Sequence, residues 1–177
     1  MHRLGAFAFA HAVERRMAAL ERVALRERAR LGKRLQEELY PLSRLALHLQ
    51  RPGRPVQVQG CEDSGRADGQ IWLGGHDRRK FEVQVTWAGN GDPQAALEPD
   101  WIAPLAGRVR QRLQLNTEKT YAPGTLLLIA FDEPRLHDWR GWQALHEQLM
   151  RHGPLLAGQF SAVWLCNCAS NALEQLL

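Results

Sequence analysis

Residues 68–86 read DGQIWLGGHDRRKFEVQVT and contain two short β-type segments joined by a turn. Residues 71–73 are a compact run of large side chains, and in residues 81–86 apolar side chains alternate with polar ones. Strict alternation is typical of a strand with one buried face. Residues 74–77 (GGHD) have turn chemistry, because glycine and aspartate adopt the backbone angles of tight hairpins. The segment therefore predicts an antiparallel hairpin.

The sequence on either side of this hairpin extends the sheet. Residues 56–59 alternate valine and glutamine, which predicts a strand before the hairpin and so a three-strand meander. Downstream, helical spacing over 101–121 and 141–152 is separated by apolar runs at 125–131 and 160–166. Short apolar runs bounded by turn residues are typical of strands buried on both faces. We therefore expect two helix-linked strands after the meander.

Residues 7–50 form a third kind of region, with apolar side chains at helical spacing and Arg or Glu at most other positions. This pattern predicts a long amphipathic helix. Pro41 should interrupt it, because proline disfavours helical angles in the preceding residue. We expect residues 42–50 to continue as a second helix, and residues 51–55 (RPGRP) to end the helical region.

The elements follow the order helix, three strands, helix, strand, helix, strand and a final helical turn or two at residues 169–177. Single helices between strands favour right-handed crossovers to parallel neighbours. We expect an α/β fold: a three-layer mixed sheet with an antiparallel hairpin side, a parallel side and helices on both faces. Residues 1–54 would form an N-terminal helical arm and residues 55–177 the α/β core, within one structural domain.

Charge is distributed unevenly along the chain. Residues 1–54 carry 12 Lys or Arg against 5 Glu, a net charge of +7, whereas residues 55–177 carry 11 against 14, a net charge of −3. A basic segment suits a phosphate-bearing partner such as DNA. A solvated Arg/Glu helix face has the same composition, so charge alone does not identify the partner.

Composition also excludes some classes of protein. No stretch reaches the roughly 20 apolar residues that a membrane-spanning helix needs, so we expect no membrane partner. The three cysteines, Cys61, Cys166 and Cys168, are too few for a disulfide framework and lack a four-ligand zinc spacing. We therefore expect a cytoplasmic protein with reduced cysteines.

The residues that point to chemistry are Asp68, Glu82 and Gln84. Side chains alternate along a strand, so Glu82 and Gln84 share one face. A connecting loop with an odd number of residues would put Asp68 directly across from Glu82, with Cβ atoms roughly 5 Å apart, where both carboxylates can bind one divalent cation. A two-residue loop would instead pair Asp68 with Val83. The alternative interpretation is a turn dipeptide beside a half-exposed strand face.

This arrangement resembles the PD-(D/E)XK nuclease superfamily (restriction-endonuclease-like), whose signature is an Asp on one hairpin strand, then an acidic residue, any residue and a Lys on the next. The predicted order of helix, three-strand meander, helix and strand is similar to the core of that superfamily over about residues 30–170. In such enzymes two carboxylates hold Mg²⁺ and the Lys orients or activates the attacking water. The resemblance implies that Asp68 and Glu82 are catalytic metal ligands.

Gln84 departs from the signature, since it occupies the position of the Lys. A glutamine amide can position a water molecule but cannot take its proton or supply positive charge. The resemblance further implies that Lys119 is a basic, nucleic-acid-binding position at the end of the following helix. Glu37 and Glu38 resemble, more weakly, the helix glutamate that some members add to the metal site.

Three functions follow as expectations. The first is a Mg²⁺-dependent DNA endonuclease that cleaves phosphodiester bonds, with Asp68 and Glu82 on the metal and Gln84 positioning water. The second is a nucleic-acid-binding or regulatory protein of the same fold without cleavage activity. The third is an interaction module whose N-terminal helices pair with a partner or form a homodimer.

Overall fold

The computed structural model describes residues 2–20, 31–61, 67–74, 79–89 and 99–177. Within these ranges, seven strands form one sheet whose spatial order follows the chain. The strands are β1 (Leu4–Gly5), β2 (Val56–Gly60), β3 (Gly69–Leu73), β4 (Arg79–Trp87), β5 (Leu126–Phe131), β6 (Ala162–Asn167) and β7 (Ala172–Gln175).

The sheet is mixed. Strands β1 to β4 pair antiparallel, β4, β5 and β6 pair parallel, and β7 returns antiparallel to β6. The helices are α1 (Ala6–Ala19), α2 (Tyr40–Leu49), α3 (Ile102–Thr117) and α4 (Trp139–Met150). The predicted α/β class and mixed sheet, antiparallel on the hairpin side and parallel on the other, are confirmed.

Two apolar clusters lie on opposite faces of this sheet. Alternate residues of β5 separate them, because Leu126 and Leu128 join one cluster while Leu127 and Ile129 join the other. The first cluster contains most of the buried residues of α1 and α2, and the second contains most of those of α3 and α4. Helices therefore cover both faces of the parallel half of the sheet.

The N-terminal helices are integrated into this architecture. Strand β1 pairs with β2, and buried residues of α1 and α2, among them Phe9 and Leu42, pack against strand residues such as Val58. The part of the predicted long helix that spans residues 21–30 lies outside the described residues.

The sequence predicts that Pro41 interrupts the helix, but the helical path continues through this residue. Residues 31–34 are helical, Leu35–Leu39 form a π-helical turn, and α2 follows directly. In the π turn the Tyr40 N–H bonds to the Leu35 carbonyl, five residues back. A wider turn of this kind relieves the clash between a proline ring and the preceding turn of an α-helix. In place of the predicted interruption there is thus a local π-helical turn, which contains Glu37 and Glu38.

The C-terminal tail is a strand, so the predicted final helical turn is wrong. After a turn in which Asn171 has φ 58°, β7 pairs with β6 and joins Leu173 to Cys166. Residues 172–177 (ALEQLL) contain good helix formers, but tertiary pairing overrides intrinsic propensity. The short strand β1 was also not predicted, since two residues carry no periodic signal.

The hairpin turn and the segment after β4 are only partly described. Residues 75–78, between β3 and β4, and residues 90–98, after β4, lie outside the described residues. In the described part of the chain, no helix combines the length and apolar character needed to span a membrane.

Candidate functional site

The hairpin register brings Asp68 to Gln84, not to Glu82. Gly69 pairs with Val83 and Gln70 with Glu82, and the Asp68 N–H donates to the Val83 carbonyl at 3.0 Å. Continuing this register by one residue puts Asp68 opposite Gln84.

The expectation that an odd-numbered loop would pair Asp68 directly with Glu82 is therefore wrong. Leu73 pairs with Arg79, so the connection does have an odd number of residues, 74–78. An odd number keeps Asp68 and Glu82 on the same face, but direct pairing would need Leu73 opposite position 77. Glu82 is instead a diagonal neighbour, at a typical spacing of about 7–8 Å.

The Asp68 carboxylate closes the end of strand β3. The Val85 N–H donates to Asp68 Oδ2 at 2.7 Å, and Gln84 Nε2 donates to the same oxygen at 2.5 Å. A longer β3 would have supplied a backbone carbonyl for that N–H, so the carboxylate takes over a ladder hydrogen bond. Both hydrogen bonds end on Oδ2, which leaves Oδ1 uncommitted among the described residues.

Gly69 lets helix α2 approach this strand end. A Cβ atom at position 69 would lie 2.3 Å from Leu42 Cδ2, so a larger residue would force the Leu42 side chain to move. Leu42 is fully buried in the first apolar cluster. The Asp68–Gly69 dipeptide thus combines a polar strand end with close packing of the helix behind it.

Glu38 is the second carboxyl group of the site. Burial raises its pKa most, and the negative charge of Asp68 raises it further. Its ion-pair partner is Arg34, one helical turn earlier, with 3.7 Å between Nε and Oε2. Arg34 also donates to the Cys61 carbonyl, which anchors the π turn to the end of β2. Among the described residues, Glu38, which was one of the weaker sequence matches, is thus a carboxyl group whose pKa is raised by the charge of Asp68.

Burial also raises the pKa of Asp68. The hydrogen bond from Val85, the charges of Arg34 and Lys119, and the Gln84 amide oppose this effect without reversing it. Lys119 follows the last turn of α3, so the predicted basic position is brought within electrostatic reach of Asp68.

Arg34 and Tyr121 also lie within electrostatic reach of Asp68, and the sequence pattern did not predict them. The pKa of the Tyr121 hydroxyl is raised by burial and by Asp68, and this hydroxyl donates to Asn116 Oδ1 at 2.7 Å. Arg34 had a usable signal, since it precedes Glu38 by four residues on one helix face. Tyr121 had none, because only the tertiary fold brings the end of α3 to β3.

The donor set fits a hard divalent cation in kind. Carboxylate oxygens are the ligands that Mg²⁺ prefers, and Asp68 and Glu38 provide two such groups, of which Asp68 raises the pKa of Glu38 by its charge. In the described ranges, no group of three His, Cys, Asp or Glu side chains is arranged to hold a metal ion. A cation here would therefore complete its coordination with water, as Mg²⁺ commonly does.

Comparison with known proteins adds no assignment. No family model, curated protein or solved structure matches this chain significantly.

Proposed function

We propose that this chain is a PD-(D/E)XK-type, nuclease-like protein that binds DNA and hydrolyses phosphodiester bonds with the help of Mg²⁺. One observation carries the proposal: burial raises the pKa of the Asp68 and Glu38 carboxyl groups, and repulsion by the charge of Asp68 raises that of Glu38 further, beside the Gln84 amide. A divalent cation would relieve that repulsion, and perturbed carboxyl groups of this kind cluster at functional sites.

The order of elements supports the same proposal. Helix α2, the meander β2–β4, helix α3 and strand β5 follow one another in the order of the restriction-endonuclease-like core. Asp68 directly precedes one hairpin strand, and Glu82 lies on the next with Gln84 at the Lys position, an arrangement that resembles the superfamily signature. The chain departs from the signature in two ways. Gln84 stands in place of the Lys, and a helix residue, Glu38, is a carboxyl group whose pKa is raised by the charge of Asp68.

The proposed roles follow from the chemistry of each side chain. Asp68 and Glu38 would hold Mg²⁺, with Glu82 as an outer carboxylate on the same sheet face. When bound, the cation would stabilise negative charge that develops on the scissile phosphate. Gln84 would orient water through its amide oxygen, because its amide nitrogen already donates to Asp68 and to the Val85 carbonyl. Lys119 would attract the phosphate.

A non-cleaving nucleic-acid-binding protein of the same fold is the second candidate. Gln84 favours it, because an amide cannot accept the proton of an attacking water. The interaction module has less support. It needs a free apolar stripe on the N-terminal helices, whereas Phe9, Val13, Leu42 and Leu45 are fully buried in this chain.

Calorimetric titration of Mg²⁺ and of Mn²⁺ into the full chain tests the proposal. We expect the Asp68→Asn/Glu38→Gln variant to lose more than about tenfold in cation affinity, because both charged ligands are removed. Glu147→Gln is the matched control, since Glu147 is an exposed residue of α4 that accepts a hydrogen bond from Gln143 at 3.0 Å. Nicking of supercoiled plasmid is measured on the same samples.

Cation binding and nicking that both disappear in the double variant, but persist in Glu147→Gln, would support the nuclease. Cation binding without nicking in the wild type would favour the non-cleaving protein. Equal cation affinity in the wild type and the double variant would refute the proposed metal site.

A further inference from the structure

A second polar region lies on the same sheet face, at the far end of β3 from Asp68. Gln57, Trp72 and Lys80 pair with one another across β2, β3 and β4, so their side chains form a row on one face. Together with Arg3 and Arg79 they line a concavity of about 690 Å³. This basic concavity was not among the sites that the sequence predicted.

The basic concavity concentrates positive charge. Arg3, Arg79 and Lys80 line it, and its described lining includes no Asp or Glu. The Arg3 guanidinium lies 4.3 Å from the centre of the Trp72 ring and the Lys80 ammonium 5.9 Å from it. Attraction to the indole holds these cations close together in spite of their repulsion. An anion in the concavity would remove that repulsion.

Among the described residues, Arg3 and Lys80 have no ion-pair partner. Within the described residues, the salt bridges involve Arg34, Arg44 and Arg135, and neither Arg3 nor Lys80 takes part in one. Glu82 is the nearest acidic residue along β4 on the same face, two positions from Lys80. The concavity therefore keeps a net attraction for anions.

The distance between the basic concavity and Asp68 indicates which kind of anion would bind there. Asp68 and Trp72 are four residues apart along β3 and project from the same face, a separation of about 13 Å. One strand of a DNA duplex rises about 3.4 Å per nucleotide, so a phosphodiester backbone spans this distance in about four nucleotides. A single nucleotide is too short to reach both places. A continuous polyanion thus fits the spacing of the two regions.

We propose that the basic concavity of Arg3, Trp72, Arg79 and Lys80 binds the phosphodiester backbone of nucleic acid about four nucleotides from the Asp68 site. The identity of the ligand rests on the proposed function, whereas the anion-binding character rests on the geometry of the concavity alone. Arg3 and Lys80 contact phosphates, and Trp72 holds the two cations in place.

The test measures binding of labelled 20-nucleotide single strands and duplexes to the full chain by fluorescence anisotropy at 50–200 mM NaCl without divalent cations. Arg3→Ala/Lys80→Ala should weaken binding about tenfold and lower the slope of log affinity against log salt by about two, because each lost phosphate contact removes about 0.9. Arg112→Ala/Arg140→Ala is the matched control. Both control residues are exposed, and Arg140 likewise lies over an indole, that of Trp139, at 5.6 Å.

A slope that changes equally in the two double variants would overturn the proposal, as would a wild type that binds no oligonucleotide at 50 mM NaCl. ATP that displaces the oligonucleotide at equimolar concentration would also overturn it, because the concavity would then be a nucleotide site. Retained binding in Arg3→Lys/Lys80→Arg would support a role for charge.

This outcome is independent of catalysis. Loss of binding in Arg3→Ala/Lys80→Ala, together with no cation binding at Asp68 and Glu38, would uphold the concavity and refute the metal site. Unchanged oligonucleotide binding in that variant, with cation binding intact, would do the reverse.

Discussion

The carboxyl groups in two polar regions of this sheet have pKa shifts of opposite direction. Glu133, after β5, is buried and receives two hydrogen bonds from the Arg135 side chain, at 2.7 and 2.9 Å, which lower its pKa. Asp68, before β3, receives a backbone N–H and a neutral amide, and burial still raises its pKa. The fold pairs one carboxylate with a guanidinium and gives the other only neutral hydrogen-bond donors.

The difference separates a structural role from a functional one. Around Glu133, buried Asn167 donates to the carbonyls of Glu133 and Leu136 and accepts from the Glu133 N–H, so the polar groups satisfy one another. A closed network of this kind stabilises a loop and needs no ligand. The Asp68 region carries two carboxyl groups whose charged forms are disfavoured, and a bound cation would stabilise both.

The largest change in the free energy of unfolding should come from removing the hydrogen bonds of Asn167 near Glu133. Asn167→Ala removes a fully buried amide and takes the hydrogen-bond acceptor from the Glu133 N–H, at a cost of roughly 1–3 kcal/mol. It also removes one of the two hydrogen bonds that the carbonyls of Glu133 and Leu136 each accept. We expect the free energy of unfolding in urea to fall by about 3 kcal/mol. Asp68→Asn should change it by less than about 1 kcal/mol, because the removed charge is itself disfavoured. A larger loss in Asp68→Asn than in Asn167→Ala would reverse the comparison.

A smaller and more specific effect is the sign of the pH dependence. Since folding lowers the pKa of Glu133 from its ordinary 4.5, its stabilising contribution is lost as the pH falls through the lowered pKa. Folding raises the pKa of Asp68 from 3.8 and that of Glu38 from 4.5, so the stability that they confer when protonated is lost as the pH rises through the raised values.

Urea denaturation between pH 3 and 8 measures both effects. Glu133→Gln should flatten the loss of stability on the acid side, and Asp68→Asn/Glu38→Gln should flatten the loss on raising the pH from about 4. Identical pH profiles for the two variants would show that the carboxyl groups do not differ as described.

The sequence predicted much of this fold because its signals were local. Alternation in residues 56–59 and 81–86, and the apolar run at 125–131, give β2, β4 and β5 directly. The residue opposite Asp68 could not be predicted, because it depends on the length of the connection between the two hairpin strands, which pairs Leu73 with Arg79. Strand β7 was not predicted for a similar reason, since it depends on non-local pairing with β6.

The candidate site was partly predictable. Asp68 and Gln84 were identified from the hairpin, and their side chains are hydrogen-bonded. The role of Glu38 depends on the π turn, and Pro41, three residues later, is a visible sign of helix distortion but does not specify its form. Arg34 and Tyr121 reach Asp68 through packing between distant elements, which periodicity does not encode.

The smallest predicted effect concerns the second carboxyl group of the site. Glu82 is opposite Gln70, one diagonal step from Asp68, whereas the charge of Asp68 acts directly on the pKa of Glu38. Glu38→Gln should therefore weaken Mg²⁺ binding about tenfold, and Glu82→Gln less than about threefold, because an outer carboxylate acts through screened charge. Raising NaCl from 50 to 500 mM should abolish the Glu82 effect and preserve that of Glu38. If the two variants exchange magnitudes, the cation lies between Asp68 and Glu82 on the open sheet face, and the helix glutamate stabilises only the π turn.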